Sequence, residues 1–275
     1  MNVLGDNDLL VAARGALLDA LEALKEHRNA VVVIGAQAIH LHTGGAQVAL
    51  AEATKDSDLA LDTRALAGEP LLEETMERAG FRLDPAALQP GAWLSPAGIP
   101  VDLMVPEALA GSGGRRGARI PPHSKNAARR AFGLEAAVVD FSPIAVKSLG
   151  TKDSRSFRAN IASPAALLVA KLHKLGERQG DLRRLMDKDA HDIYRLLVAV
   201  PTNGIASSLL RLCGDPLAGK ATTSAVTLLG ELFAKGSGAP ASKMAGRAEE
   251  GVGDPALVSA AVAALADDLM KAMNR

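Results

Sequence analysis

Ala30-Val-Val-Val-Ile-Gly-Ala-Gln-Ala-Ile-His40 and, after a polar passage, Thr54-Lys-Asp-Ser-Asp-Leu-Ala-Leu-Asp62 decide how the rest of the chain is read. The first stretch is a short β-branched apolar run closed by Gly35, and a helix-compatible segment follows at once. That order spells strand, tight turn, helix start. Backbone N–H groups of Gly35 and Ala36 at such a turn, helped by the positive end of the helix, suit a phosphate. The second stretch alternates, so Asp56, Asp58, Ala60 and Asp62 share one face of a strand and Ser57, Leu59 and Leu61 the other. Carboxylates two residues apart on one face repel each other unless a cation lies between them. Oxygen-only ligands beside a phosphate favour Mg²⁺.

Working outward, Asp102 stands among apolar neighbours in Ile99-Pro-Val-Asp-Leu-Met-Val105. A lone Asp in a buried strand needs a partner or a metal. Ser163-Pro164 opens a helix whose core face is Leu167, Leu168, Leu172 and Leu175. Lys171 lies between Leu168 and Leu172, away from free solvent, whereas Lys174 and Arg178 read as a solvated stripe. The next helix, about Leu182 to Val198, carries Lys188-Asp189-Ala-His-Asp192, which alone would pass for a local ion-pair ladder.

Together these residues resemble the nucleotidyltransferase superfamily, and within it the AbiEii-type toxins of toxin–antitoxin systems. The resemblance covers most of residues 30 to 197. It implies a nucleotidyltransferase-like mixed twisted sheet with flanking helices, of the α/β (α+β) class, followed by a C-terminal helical bundle. It also implies a Mg²⁺-dependent enzyme that moves a nucleoside monophosphate from a nucleoside triphosphate to an acceptor hydroxyl. Asp56, Asp58 and Asp102 would hold one or two Mg²⁺ ions. Gly35, Ala36, Lys171 and Lys188 would contact the nucleotide, and Asp189 would sit near the cleft. An RNA acceptor such as a transfer-RNA 3′ end and a cognate antitoxin protein are the implied partners. Two departures stand out: Ala36 replaces the Ser or Gly usual at the turn, and the gap from Gly35 to Asp56 is longer than the common spacing. A Rossmann-type dinucleotide site is disfavoured, because Gly35-Ala-Gln-Ala-Ile lacks the further glycines such a site requires.

The 275-residue chain is long enough for one large or two modest domains, and the expected division is 1–161 and 162–275. The formal net charge is zero, so nucleic-acid binding requires a local patch. One such patch is the acid-free, Gly- and Pro-rich stretch 110–130, with Arg115, Arg116, Arg119, Lys125, Arg129 and Arg130. It reads equally as a solvated loop or as a phosphate-contacting strip for an RNA acceptor. A single cysteine, Cys213, excludes an internal disulfide and fits a reducing compartment. Met1–Asp8 lacks a basic-then-apolar leader and no apolar run approaches membrane length, so a soluble cytoplasmic protein is expected, with no membrane partner.

The remaining elements follow from spacing. Residues 8–27 form a helix capped by Asp6 or Asn7, with Leu9, Leu10, Ala13, Leu17, Leu21 and Leu24 repeating at helical spacing. His40 and His42, two apart, face different sides of a helix and make no metal pair. Ala46–Ala53 is a connector. Glu69–Ala79 is an amphipathic helix closed by Gly80. Phe81–Leu83, Ala92–Ser95, Ile99–Val105, Glu135–Asp140, Ile144–Ser148 and Phe157–Ile161 read as strands. From Asn203 onward three helices follow. Acceptors of a different kind, a small molecule or a protein side chain, stay open at this level, as does a non-catalytic member of the fold that binds RNA or a partner.

Overall fold

A computed structural model describes residues 6–44, 55–113, 116–177 and 187–274. The connector Ala46–Ala53, Arg115, Arg178 and the start of the expected Leu182–Val198 helix lie outside the described residues. Two compact units divide the chain. One comprises Met1–Ala38, Ala53–Leu134 and Phe141–Ala162; the other comprises Ile39–Glu52, Glu135–Asp140 and Ser163–Arg275.

In chain order the elements begin with α1 (Asp6–Ala23), β1 (Val31–Ile34), α2 (Gly35–Thr43) and β2 (Ser57–Leu61). Next come α3 (Leu72–Arg78), β3 (Arg82–Leu83), β4 (Ala92–Leu94), β5 (Pro100–Pro106), β6 (Arg129–Ala131), β7 (Phe141–Lys147) and β8 (Ser156–Ala162). The helices α4 (Pro164–Gly176), α5 (Asp187–Ala199), α6 (Thr202–Cys213), α7 (Gly219–Leu232), α8 (Pro240–Arg247) and α9 (Pro255–Met273) complete the chain. The fold is mixed α/β, as the sequence leads one to expect, with one mixed sheet and a run of C-terminal helices.

The sheet runs β3-β4-β5-β2-β1-β8-β7, and β6 extends the β4 side of β5. β1 and β2 are antiparallel, whereas β1–β8 and β2–β5 are parallel. The central strands bury both faces: all of β1 and Leu59, Ala60 and Leu61 of β2 are buried. That explains the continuous apolar run of β1 where an edge strand would alternate. α1 lies on the sheet through Leu10, Ala13 and Leu17, and Ser57 at the head of β2 ties to it by donating to the Ala13 carbonyl at 3.0 Å.

The second unit is helical, and two of its helices, α4 and α9, start at side-chain caps. Ser163 Oγ accepts from Ala166 N at 3.1 Å with Pro164 in the first turn. Asp254 caps α9 in the same way, accepting from Ala256 and Leu257 N–H groups ahead of a Pro255 start. Each cap satisfies amides that the helix cannot.

Three expectations are corrected. The Glu135–Asp140 segment is not a strand but a buried 3-10 turn over Glu135–Val138, closed by Val139 and Asp140 N–H groups bonding to the Ala136 carbonyl. Its two valines suggest a strand, but Glu-Ala-Ala favours a helical turn. After Asn203 there are four helices among the described residues, not three, because Pro240 and Pro255 each restart one after a glycine break. The first helix stops at Ala23, and a 3-10 turn over Lys25–His27 leads into β1. Among the described residues no single helix is long and apolar enough to cross a membrane.

Candidate active site

Gly35 closes β1 in the left-handed region, at φ 69°. Ile34 pairs in register with Asp58 across the antiparallel β1–β2 ladder, which brings the Asp58 side chain onto the turn. A Cβ on Gly35 would collide with Asp58 Oδ2, and would stand 2.9 Å from Cγ and 3.0 Å from Cβ of the same residue. Both the backbone angle and the close approach therefore require glycine here. Helix α2 starts at this turn, so its first N–H groups and one carboxylate of the Asp-x-Asp pair share a small region.

β2 and β5 run parallel with Asp58 opposite Asp102 in register. Aligned residues on neighbouring strands point to the same face, so these two carboxylates are lateral neighbours. Asp56 precedes β2 and is exposed, while Asp58 is half-buried. The partner that a strand-borne Asp102 requires is Arg129, whose Nη2 donates to Asp102 Oδ2 at 2.7 Å. Both side chains are about one-fifth exposed, at 22% and 19%. Arg129 reaches this place because β6 pairs in parallel with β5, Met104 opposite Arg129. Gly91 permits that approach, since a Cβ there would strike the Leu103 carbonyl and lie 2.6 Å from Arg129 N.

Arg129 is thus withdrawn from the basic strip, and the strip is not a free loop. Trp93 Nε1 donates to the Ala127 carbonyl at 3.0 Å, Arg119 N bonds to the Ala110 carbonyl, and Ala118, Ile120, Ala127 and Ala128 are buried. Arg130 Nη2 donates to the Gly111 carbonyl at 2.6 Å, and Arg116 Nη1 to the Leu88 carbonyl at 3.1 Å. Arg116, Arg119 and Lys125 keep exposed side chains.

In the helical unit, Lys171 of α4 is buried against α5. Its Nζ lies 2.7 Å from Asp189 Oδ1 and 2.6 Å from Asp192 Oδ2, and Lys174 Nζ is 3.1 Å from Asp189. Burial works against the ammonium, but Asp192 and then Asp189 outweigh it and hold Lys171 above the ordinary lysine value. Burial likewise opposes the Asp189 carboxylate, yet Lys171 and then Lys174 hold it below the usual range. Lys188 is half-buried on α5. Sequence spacing alone shows Lys171 flanked by leucines; that Asp192 shares its charge is visible only once α4 and α5 pack.

Among the described residues no group of three or more His, Cys, Asp or Glu is arranged to hold a metal ion. Of the expected trio of Asp56, Asp58 and Asp102, Asp102 is held by Arg129 at 2.7 Å. The donor chemistry still suits a hard cation: the candidate ligands are all carboxylates, and Gly35 leaves space for the Asp58 carboxylate beside the turn.

A family model described as Nucleotidyltransferase matches residues 12–209. That is well over half of the chain, and the protein belongs to this nucleotidyltransferase family. It is therefore a nucleotidyltransferase by class, with a nucleotide as substrate. Neither the curated proteins nor the solved structures searched contain a match.

Proposed function

We propose that the protein transfers a nucleoside monophosphate from a nucleoside triphosphate to a hydroxyl of an RNA acceptor, with Mg²⁺ bound by Asp56 and Asp58. The observation that supports the site is the fit of Asp58 against Gly35, which combines a phosphate-type turn and a carboxylate in the space where a Cβ would sit. In this reading the Gly35 and Ala36 N–H groups and the positive end of α2 hold phosphate oxygens. Mg²⁺, when bound, supplies neutralisation of the phosphate charge. Asp102 lies beside Asp58 with its carboxylate fixed by Arg129, and so shapes the acid side of the site. Catalysis of this kind is mostly positioning and charge stabilisation, which suits a site on rigid central strands. Lys171 and Asp189 act through the α4–α5 packing that their ion pair secures, and Lys188 stands next to them as a nucleotide-contact candidate.

The RNA acceptor is supported by Arg116, Arg119 and Lys125, exposed cations of the acid-free stretch. The AbiEii-type resemblance further suggests a transfer-RNA end and a toxin role balanced by an antitoxin. The test is a salt series of RNA binding for wild type and for Arg116→Ala, Arg119→Ala and Lys125→Ala combined. Each lost phosphate contact reduces the salt slope by about 0.7–0.9, while triphosphate affinity is expected to hold. An unchanged slope would move the acceptor to a small molecule.

A further inference from the structure

Arg14 occupies the apolar side of α1, four residues after Leu10 and three before Leu17, and is only 2% exposed. Its Nε donates to Gln37 Oε1 at 2.8 Å and its Nη1 to the Lys147 carbonyl at 3.0 Å. Among the described residues its Nη2 has no partner, and neither has Nε2 of Gln37, itself 1% exposed. No carboxylate among the described residues pairs with this guanidinium, and burial alone acts on it, lowering its pKa. An isolated buried cation is costly, and a methionine would fill the same volume without that cost. Gln37 stands two residues after Gly35, in the first turn of α2. Two buried donors without acceptors and one unmatched positive charge are therefore attached directly to the turn.

We infer that Arg14 is a positioning residue of the phosphate turn, and that its unmatched charge finds its counter-charge when a polyphosphate lies on Gly35 and Ala36. The inference rests on the phosphate-turn reading given above. Through Gln37, Arg14 fixes the first turn of α2. In surroundings of low dielectric its charge adds to the positive end of that helix. The empty protein carries the unmatched charge, and binding an anion relieves it, so affinity is gained at the expense of stability.

The probe is inorganic tripolyphosphate with MgCl2, followed by calorimetric titration and thermal melting of the full chain. Arg14→Met is expected to melt at or above wild type without tripolyphosphate and to bind it about tenfold more weakly. Arg14→Lys, which retains the charge, is expected to recover part of that affinity. Ala36→Asp serves as the control, since an acidic first turn suits the helix but repels phosphate. Loss of binding in both Ala36→Asp and Arg14→Met, with the melting temperature of Arg14→Met held, supports the inference. If Ala36→Asp loses binding while Arg14→Met binds like wild type, the Arg14 inference fails and the turn stands. If Ala36→Asp binds normally, the turn reading fails and takes the inference with it. An Arg14→Met protein that melts well below wild type, or does not fold, makes Arg14 a structural residue and overturns the inference.

Discussion

Replacing Lys171 by methionine keeps the volume of the side chain and removes the cation shared by two buried carboxylates. All three side chains are less than a tenth exposed, at 8% for Lys171, 4% for Asp189 and 9% for Asp192. Breaking a buried pair by deleting one partner costs about 3–5 kcal/mol, because the remaining charge is left uncompensated. Lys174 still reaches Asp189 at 3.1 Å, but it is 41% exposed and replaces little of the lost interaction. The expected loss is therefore at the lower end, about 3 kcal/mol. Urea unfolding followed by helical circular dichroism measures it, and with a slope of about 1–3 kcal/mol/M the midpoint falls by about 1–3 M. Adding Asp189→Asn and Asp192→Asn to the variant removes the stranded charges and is expected to restore most of the stability. A single variant within about 1 kcal/mol of wild type but devoid of transfer would refute this reasoning and make Lys171 a direct phosphate ligand.

Three further outcomes follow from the same structure. The depressed Asp189 gives stability that is complete above the ordinary aspartate pKa and fades as pH falls below about 4. The raised Lys171 gives stability that is complete below the ordinary lysine value and is lost as pH climbs above about 10, so helical content against pH should form a plateau with those two edges. Gly35→Ala forces a side chain into Asp58 at a positive φ, and should lower stability by about 1–3 kcal/mol and abolish transfer; normal turnover would refute the tight turn. Arg129→Ala removes the arginine that pairs with Asp102. It should destabilise the sheet by about 1–3 kcal/mol in urea unfolding, with added Mg²⁺ recovering part of the loss.

The sheet was legible because local signals agree with the packing. β1 reads as a buried strand from four β-branched residues, and Ser163-Pro164 and Asp254-Pro255 announce their helices by cap chemistry. The turn at Gly35 and its neighbour Asp58 were legible for the same reason, since both lie on adjacent, strongly patterned strands. The Asp102–Arg129 pair was not, because it depends on a three-residue strand, β6, held by the long-range fit at Gly91. A run of Arg and Gly without acids looks solvated when its carboxylate and carbonyl partners come from other elements. Arg14 is an intermediate case: helical spacing puts it among Leu10, Leu17 and Leu18, but its link to Gln37 appears only when α1 and α2 meet.

The most direct test of the central claim follows the α-phosphate. Wild type and Asp58→Asn are incubated with each α-labelled nucleoside triphosphate, Mg²⁺ and total cellular RNA. The label is then located after separation of RNA, protein and small molecules. The expected result is label in RNA with wild type, and none with Asp58→Asn although that variant remains folded. Equal labelling by Asp58→Asn would contradict it.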